Sequence, residues 1–276
     1  MSNVQAAAVE TWRKHIGRTK TQRQVIDRDV LHRFAAAVGS DLDIERIWPP
    51  LAHWAFFIDA VPPEQIGEDG HPLRGDFMPA VTLPRRMFAA GSIRFDGALR
   101  LGECAKCVTT IADVVHKPGQ SGDLIFVEVD RTISQDSGTR ISERQTIVYR
   151  ATGGVLASVV PAETRASGLL WQPHPVDLFR FSAATFNSHR IHYDRLYARE
   201  IEGYPDLVVQ GPFTAVKLFG LAEARLGRPL CTFSFRAITP LFVSQPVILS
   251  EVEDPGSIAA IRCDGVTAMK AKAALR

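Results

Sequence analysis

The segment FNSHRIHYD, Phe186 to Asp194, gathers Asn187, His189, His192 and Asp194 within nine residues. Histidine is the side chain whose ordinary pKa lies nearest neutrality, so His192 is a candidate general base. The HxxH spacing with a nearby aspartate would also suit a metal, although such a site needs a ligand from elsewhere and the spacing names none. A polar surface turn accounts for the segment equally well. Roughly twenty residues further on, Gly211 precedes Pro212. Proline is favoured at the first helical position, glycine admits close approach of a ligand to the backbone, and the free N–H groups of a helix start can hold an oxyanion. A plain helix start has the same appearance. Cys104 and Cys107 form CAKC, half of a redox or zinc motif whose second half is missing, and we read all four cysteines as reduced thiols.

The elements that must position these residues follow from periodicity. RDVLHRFAAAV, residues 28–38, has helical spacing and stops at Gly39; residues 48–63 form a short apolar element between paired prolines, and 63–80 read as a long loop. From 91 to 150 the chain turns to β-branched, partly alternating segments separated by glycine-containing turns, which predicts an antiparallel meander of about four strands. Residues 152–177 read as a linker. The order then repeats: helices over 178–187 and 212–227, then strands near 229–238, 241–253, 257–264 and 266–275. The chain thus divides into two copies of one plan, 1–151 and 178–276.

The helix at 212–227 is apolar around almost its whole circumference and must be enclosed. A curved antiparallel sheet wrapped around a central helix meets that demand, and this is the hot-dog arrangement, an α+β fold. The first half lacks an equal helix, and MPAVTLPRRMFAAG, residues 78–91, stands in its place. The expectation is a double hot dog with a degenerate first half.

Composition narrows the function classes. The 32 basic and 30 acidic side chains nearly cancel and no long basic run occurs, so a general electrostatic footprint for nucleic acid or membrane is missing. No apolar stretch approaches the roughly 18 to 20 residues that cross a bilayer, and a cytoplasmic protein is expected.

RFSAATFNSHRIHYD followed by EGYPDLVVQGPF resembles the signature of R-specific enoyl-CoA hydratases and MaoC-like dehydratases: aspartate, any residue, asparagine, proline, aliphatic, histidine. Asn187 takes the aspartate position, His189 the asparagine, Arg190 the proline, Ile191 the aliphatic and His192 the histidine. NSHRIHYD together with LPRRMFAAGSIRF is similar to the double hot-dog group of mitochondrial hydroxyacyl-thioester dehydratase type 2 and the mesaconyl-C4-, 3-methylfumaryl- and itaconyl-CoA hydratases. The resemblance implies reversible hydration of the 2,3 double bond of an enoyl-CoA, with no metal and no cofactor. It implies His192 as base, Asn187 as an orienter of water, since an amide cannot exchange a proton as a carboxylate does, and Gly211 as the oxyanion donor. Asp194 is a candidate replacement for the missing carboxylate. His189 and Tyr193 are expected against the substrate. Arg85 and Arg86 are expected to meet a distal carboxylate of a dicarboxylic acyl group, a CoA phosphate, or only solvent. A homodimer or larger assembly is expected. A thioesterase, or an acyl-CoA-binding protein without activity, stands beside this reading.

Overall fold

The computed structural model describes residues 4–119, 122–136, 138–151, 167–227, 229–243, 245–252 and 254–275. Helix α1 (Ala6–Arg13) and strand β1 (Thr19–Val25) lead into helix α2 (Arg28–Val38). Asp27 caps α2 by accepting the Val30 N–H at 2.9 Å, and Gly39 ends it in the left-handed region at φ 67°. A 3-10 turn, Ala52–Ala55, precedes strands β2 (Arg85–Phe95), β3 (Cys104–Gly119), β4 (Gly122–Gln135) and β5 (Gly138–Arg150). The second half comprises β6 (Leu169–Trp171), α3 (Pro175–Ala184), α4 (Gly211–Leu226), β7 (Leu230–Ala237), β8 (Val247–Glu251), β9 (Ser257–Arg262) and β10 (Thr267–Leu275).

All ten strands form one sheet in the order β1-β3-β4-β5-β2-β7-β10-β9-β8-β6. Read from its outer edge inward, each half repeats the same course: short strand, the three-strand meander, and then the strand that follows the central element. The halves meet where β2 pairs antiparallel with β7, from Ala90 opposite Arg236 to Arg94 opposite Thr232. No helix among the described residues is long and apolar enough to cross a membrane.

Helix α4 is enclosed, as its all-round apolar sequence demands. Phe213, Ala215, Val216, Leu218, Phe219 and Ala222 are buried along it. Phe213 stacks on Phe181 of α3 at 4.9 Å, and Phe219 meets Phe95 and Phe233 edge-on. In the first half the corresponding place is held by the 3-10 turn, whose four residues Ala52 to Ala55 are all buried. This corrects the expectation for residues 78–91. From Arg85 onward they form β2, in the middle of the sheet, because RRMFAAGSIRF can pair on both edges and the prolines stay upstream of it.

Behind Trp54, Glu143 is buried and accepts hydrogen bonds from Trp54 Nε1 at 2.7 Å and Gln145 Nε2 at 2.9 Å, with His53 Nε2 3.4 Å away. This network fixes the tryptophan against Phe88 and Phe235. Of the expected linker 152–177, residues 152–166 lie outside the described residues. The remainder is structured, contributing β6 at the sheet edge, where Leu169–Trp171 pair with β8, and the first turn of α3.

Candidate active site

A cavity of about 590 Å³ lies along the seam between the halves. Asn187, His189, His192 and Gly211 line it, as do Arg85 and Arg86. Residues far apart in the sequence are therefore brought to one chamber. Asp194 and Tyr193 are not among its lining.

The histidine loop begins just past α3. Phe186 takes φ 51°, a left-handed conformation that a phenylalanine adopts only where its surroundings enforce it. Asn187 then folds over its own loop, with its backbone N–H on the Ser182 carbonyl at 2.8 Å and its side-chain oxygen accepting the His189 N–H at 3.1 Å. That leaves its amide NH2 as the group free to meet a ligand. A 3-10 turn, Arg190–His192, presents His192 to the cavity.

His192 is buried, and its Nδ1 lies 2.7 Å from the Val208 carbonyl oxygen. A carbonyl can only accept, so Nδ1 carries the proton and Nε2 keeps its lone pair. Burial pushes the imidazole down to about 4; the Val208 bond opposes this shift and His71 adds to it. His192 is thus unprotonated, with its Nε2 lone pair available, throughout the neutral range. Gly211 opens α4, where the first backbone N–H has no intrahelical acceptor, and a Cβ on it would stand 3.3 Å from the Phe88 carbonyl oxygen. Gln210, fully buried, ties that helix start to α3 through the Leu178 carbonyl at 2.8 Å and the Ser182 hydroxyl at 3.0 Å.

Asp194 does not replace the missing carboxylate. It accepts the Tyr197 N–H at 3.0 Å and pairs with Arg190 at 2.7 Å, so it braces the loop from outside. Tyr193 is 49% exposed and likewise faces away from the cavity. The two arginines separate. Arg85 is buried, its Nε 2.8 Å from a Glu202 carboxylate oxygen, another nitrogen on the Glu202 carbonyl, and its guanidinium over the Tyr204 ring. Arg86 has no hydrogen bond or ion pair among the described residues and stands, with Arg150, as an unpaired cation of the cavity wall.

A further carboxylate and imidazole reach the cavity from a place to which periodicity does not point. Asp69 and His71, in the loop after the 3-10 turn, line the same cavity. Asp69 accepts the His71 backbone N–H at 2.9 Å and the His71 Nδ1–H at 3.1 Å. The His71 ring lies 4.0 Å from that of His189, which in turn meets the His192 ring edge-on at 5.3 Å. Burial pushes His71 down to about 4 against the pull of Asp69, and pushes His189 well below the ordinary histidine range, with His71 and His192 adding to the effect. Burial would raise Asp69, but its bonds to His71 and the field of Arg86 more than offset this, so it stays ionised. The only sequence signal was EDGHP, an acidic turn with a histidine two residues after the aspartate. Asp69, His71 and His189 each offer a donor atom within 4.8 Å of the others, and they are the one such group of three among the described residues. The alternative metal arrangement, His189 and His192 with Asp194, does not assemble, because His192 is turned onto Val208 and Asp194 onto Arg190.

The chain is 41% identical over 273 residues to mesaconyl-C(4)-CoA hydratase of Chloroflexus aurantiacus, covering 94% of this chain and 96% of that protein. Its fold matches the crystal structure of HtdX of Mycobacterium tuberculosis with a TM-score of 0.70 at 17% identity, over 94% of this chain and 100% of the other. It also matches a double hot-dog protein of the same organism with a TM-score of 0.55 at 10% identity, over 94% and 96% of the two chains. The fold is a double hot dog. Residues 51–243 match the family model for hydroxyacyl-thioester dehydratase type 2, and the chain belongs to that family.

Proposed function

We propose that the protein is a hydro-lyase that adds water across the 2,3 double bond of an enoyl-CoA, and removes it in the reverse direction. The observation that carries this reading is the pairing, in the lining of one cavity, of a buried neutral imidazole with a bare Nε2 and the helix start at Gly211. Addition of water to an α,β-unsaturated thioester needs a base for water and a donor for the oxygen that becomes negative. His192 Nε2 takes a proton from water as its oxygen bonds to C3. The double-bond electrons move toward the thioester, and the Gly211 N–H holds the enolate oxygen. The proton on His192 then passes to C2, which restores the base and completes a net addition of one water.

Among acyl groups, a short dicarboxylic one is favoured. Arg86 places a guanidinium without an ion-pair partner on a wall that also carries Trp54, Phe57, Phe88 and Ile147, and such a cation suits a distal carboxylate. Arg85 has no such freedom, being engaged by Glu202. The named activity of the Chloroflexus aurantiacus relative points to the same class.

The test is loss of the enoyl-thioester ultraviolet absorbance with crotonyl-, mesaconyl-, 3-methylfumaryl- and itaconyl-CoA, on wild type and His192→Ala, with a thiol reagent present. Absorbance loss without free thiol, abolished by the substitution, is expected. Free thiol would identify a thioesterase, and binding without turnover would leave an acyl-CoA-binding protein.

A further inference from the structure

Position 187, where the resemblance expects the acid–base carboxylate, holds an amide that closes its own turn. A site that hydrates a double bond must still hold water against the base, and a carboxylate and an imidazole in the same cavity come from the other half of the chain. The segment 67–71 is clamped to the histidine loop by several contacts. The Arg190 N–H donates to the Asp69 carbonyl at 2.9 Å, the Arg190 guanidinium to the Glu68 carbonyl at 3.1 Å, and the Ser188 hydroxyl to the Gly70 carbonyl. Gly70 sits at φ +85° with the Ser188 carbonyl where a Cβ would be, so the two backbones touch.

Within that clamp the His71 tautomer is set. The Asp69 carboxylate can only accept, hence Nδ1 of His71 bears the hydrogen and Nε2 is an acceptor, the arrangement that a carboxylate imposes on a catalytic imidazole. His71 and His192 line one cavity, each with its ring against that of His189, tilted in the first contact and edge-on in the second, so two bare Nε2 atoms belong to the same chamber. Water has two hydrogens to give.

We propose that Asp69 and His71 are a second, water-holding pair of this site: His71 accepts a hydrogen bond from one O–H of the attacking water while His192 takes the other hydrogen, and Asp69 is the positioning residue that orients His71. The proposal rests on the hydratase reading above. With both hydrogens held, the oxygen lone pair faces C3. One O–H bond breaks toward His192 as the C3–O bond forms, and the same proton then bonds to C2, so only water is consumed. The Asp69 carboxylate, in the same cavity, offsets the positive charge that His192 carries while it holds that proton.

The experiment measures kcat, KM and the pH profile of His71→Gln, Asp69→Asn and Asp69→Glu on whichever enoyl-CoA the wild type hydrates best. Affinity for the saturated acyl-CoA and thermal melting are measured alongside. Loss of about 100-fold or more in kcat for His71→Gln and Asp69→Asn is expected, with KM and saturated-ligand affinity within about threefold of wild type. Asp69→Glu, which keeps the carboxylate, should recover most of the rate, and Asp69→Asn should shift the acid limb of the profile, which a purely structural role would not do. Asp69→Asn preserves shape and keeps the test valid if His71→Gln melts early. A kcat within threefold of wild type for both His71→Gln and Asp69→Asn, with His192→Ala inactive, would overturn the pair while leaving the hydratase intact. Activity lost on chelation and restored by zinc would also overturn it, by making Asp69, His71 and His189 metal ligands. A wild type that hydrates no enoyl-CoA would remove both this inference and the hydratase reading.

Discussion

Gly70→Ala tests whether the two halves share one site. At φ +85° an alanine costs about 1 kcal/mol or more in backbone strain. Its Cβ would overlap the Ser188 carbonyl oxygen, stand 2.8 Å from the carbonyl carbon and 3.3 Å from the Arg190 nitrogen. Ordinary carbon contacts begin near 3.5 Å, so the loops must part by about 1.5 Å. Parting them strains the Arg190 N–H to Asp69 carbonyl bond and the Ser188 hydroxyl to Gly70 carbonyl bond, worth about 1 kcal/mol each. The sum is about 3 kcal/mol, but it falls on a surface clamp that can open without unfolding the sheet. Most of the effect should therefore appear in turnover, where a misplacement of about 1 Å costs about 100-fold. The assay is kcat by enoyl absorbance beside a thermal melt. A Gly70→Ala protein with wild-type kcat and an unchanged melt would refute the clamp, and with it the claim that residues 67–71 help to build the site.

The remaining expectations concern charge. His71 and His192 both sit at about 4 in the folded protein, against an ordinary value of 6.5. The unfolded chain therefore binds more protons than the native one between those values, and stability falls as pH drops from about 6.5 toward 4, by up to about 3 kcal/mol for each histidine. Urea midpoints at successive pH values check this, and a midpoint that is flat from pH 7 to pH 4.5 would count against the buried neutral imidazoles. Arg85→Met strips Glu202 of its partner and should cost about 3 kcal/mol of stability, read as a lower melting temperature whatever the substrate. Arg86→Gln should leave the melt within about 0.5 kcal/mol of wild type. It should raise KM for dicarboxylic acyl-CoA esters about 10-fold or more while sparing crotonyl-CoA, and an equal effect on both esters would reject the carboxylate role.

The sequence made α2 and α4 legible because both carry helical signals on their own: Asp27 and Gly39 punctuate the first, and the second is apolar on all faces. The meander strands were legible for the same local reason. β1 was not, since TKTQRQV is polar and becomes a strand only by pairing with β3, nor was β2, whose paired arginines and neighbouring prolines hid a strand buried between two others. At the site, Asn187, His189, His192, Gly211 and Arg86 were marked by residue type and motif spacing. Asp69 and His71 were not, because their meaning depends on a contact with residues more than 100 positions away that no periodicity encodes. Asp194 misled for the converse reason: adjacent in sequence to the histidines, it is turned outward by the 3-10 geometry of Arg190–His192 onto its own arginine.

The seam of the sheet also sets an order of events for the growing chain. β2 is complete long before β7 exists, and Arg94 waits for Thr232 across the whole intervening sequence. Until then Ala90–Arg94 presents an open strand edge in the middle of what will become a continuous sheet, the kind of edge that recruits foreign strands. Productive folding is a race between that edge and the arrival of the second half, and it favours slow handling at high temperature or high concentration less than any single stability figure would imply.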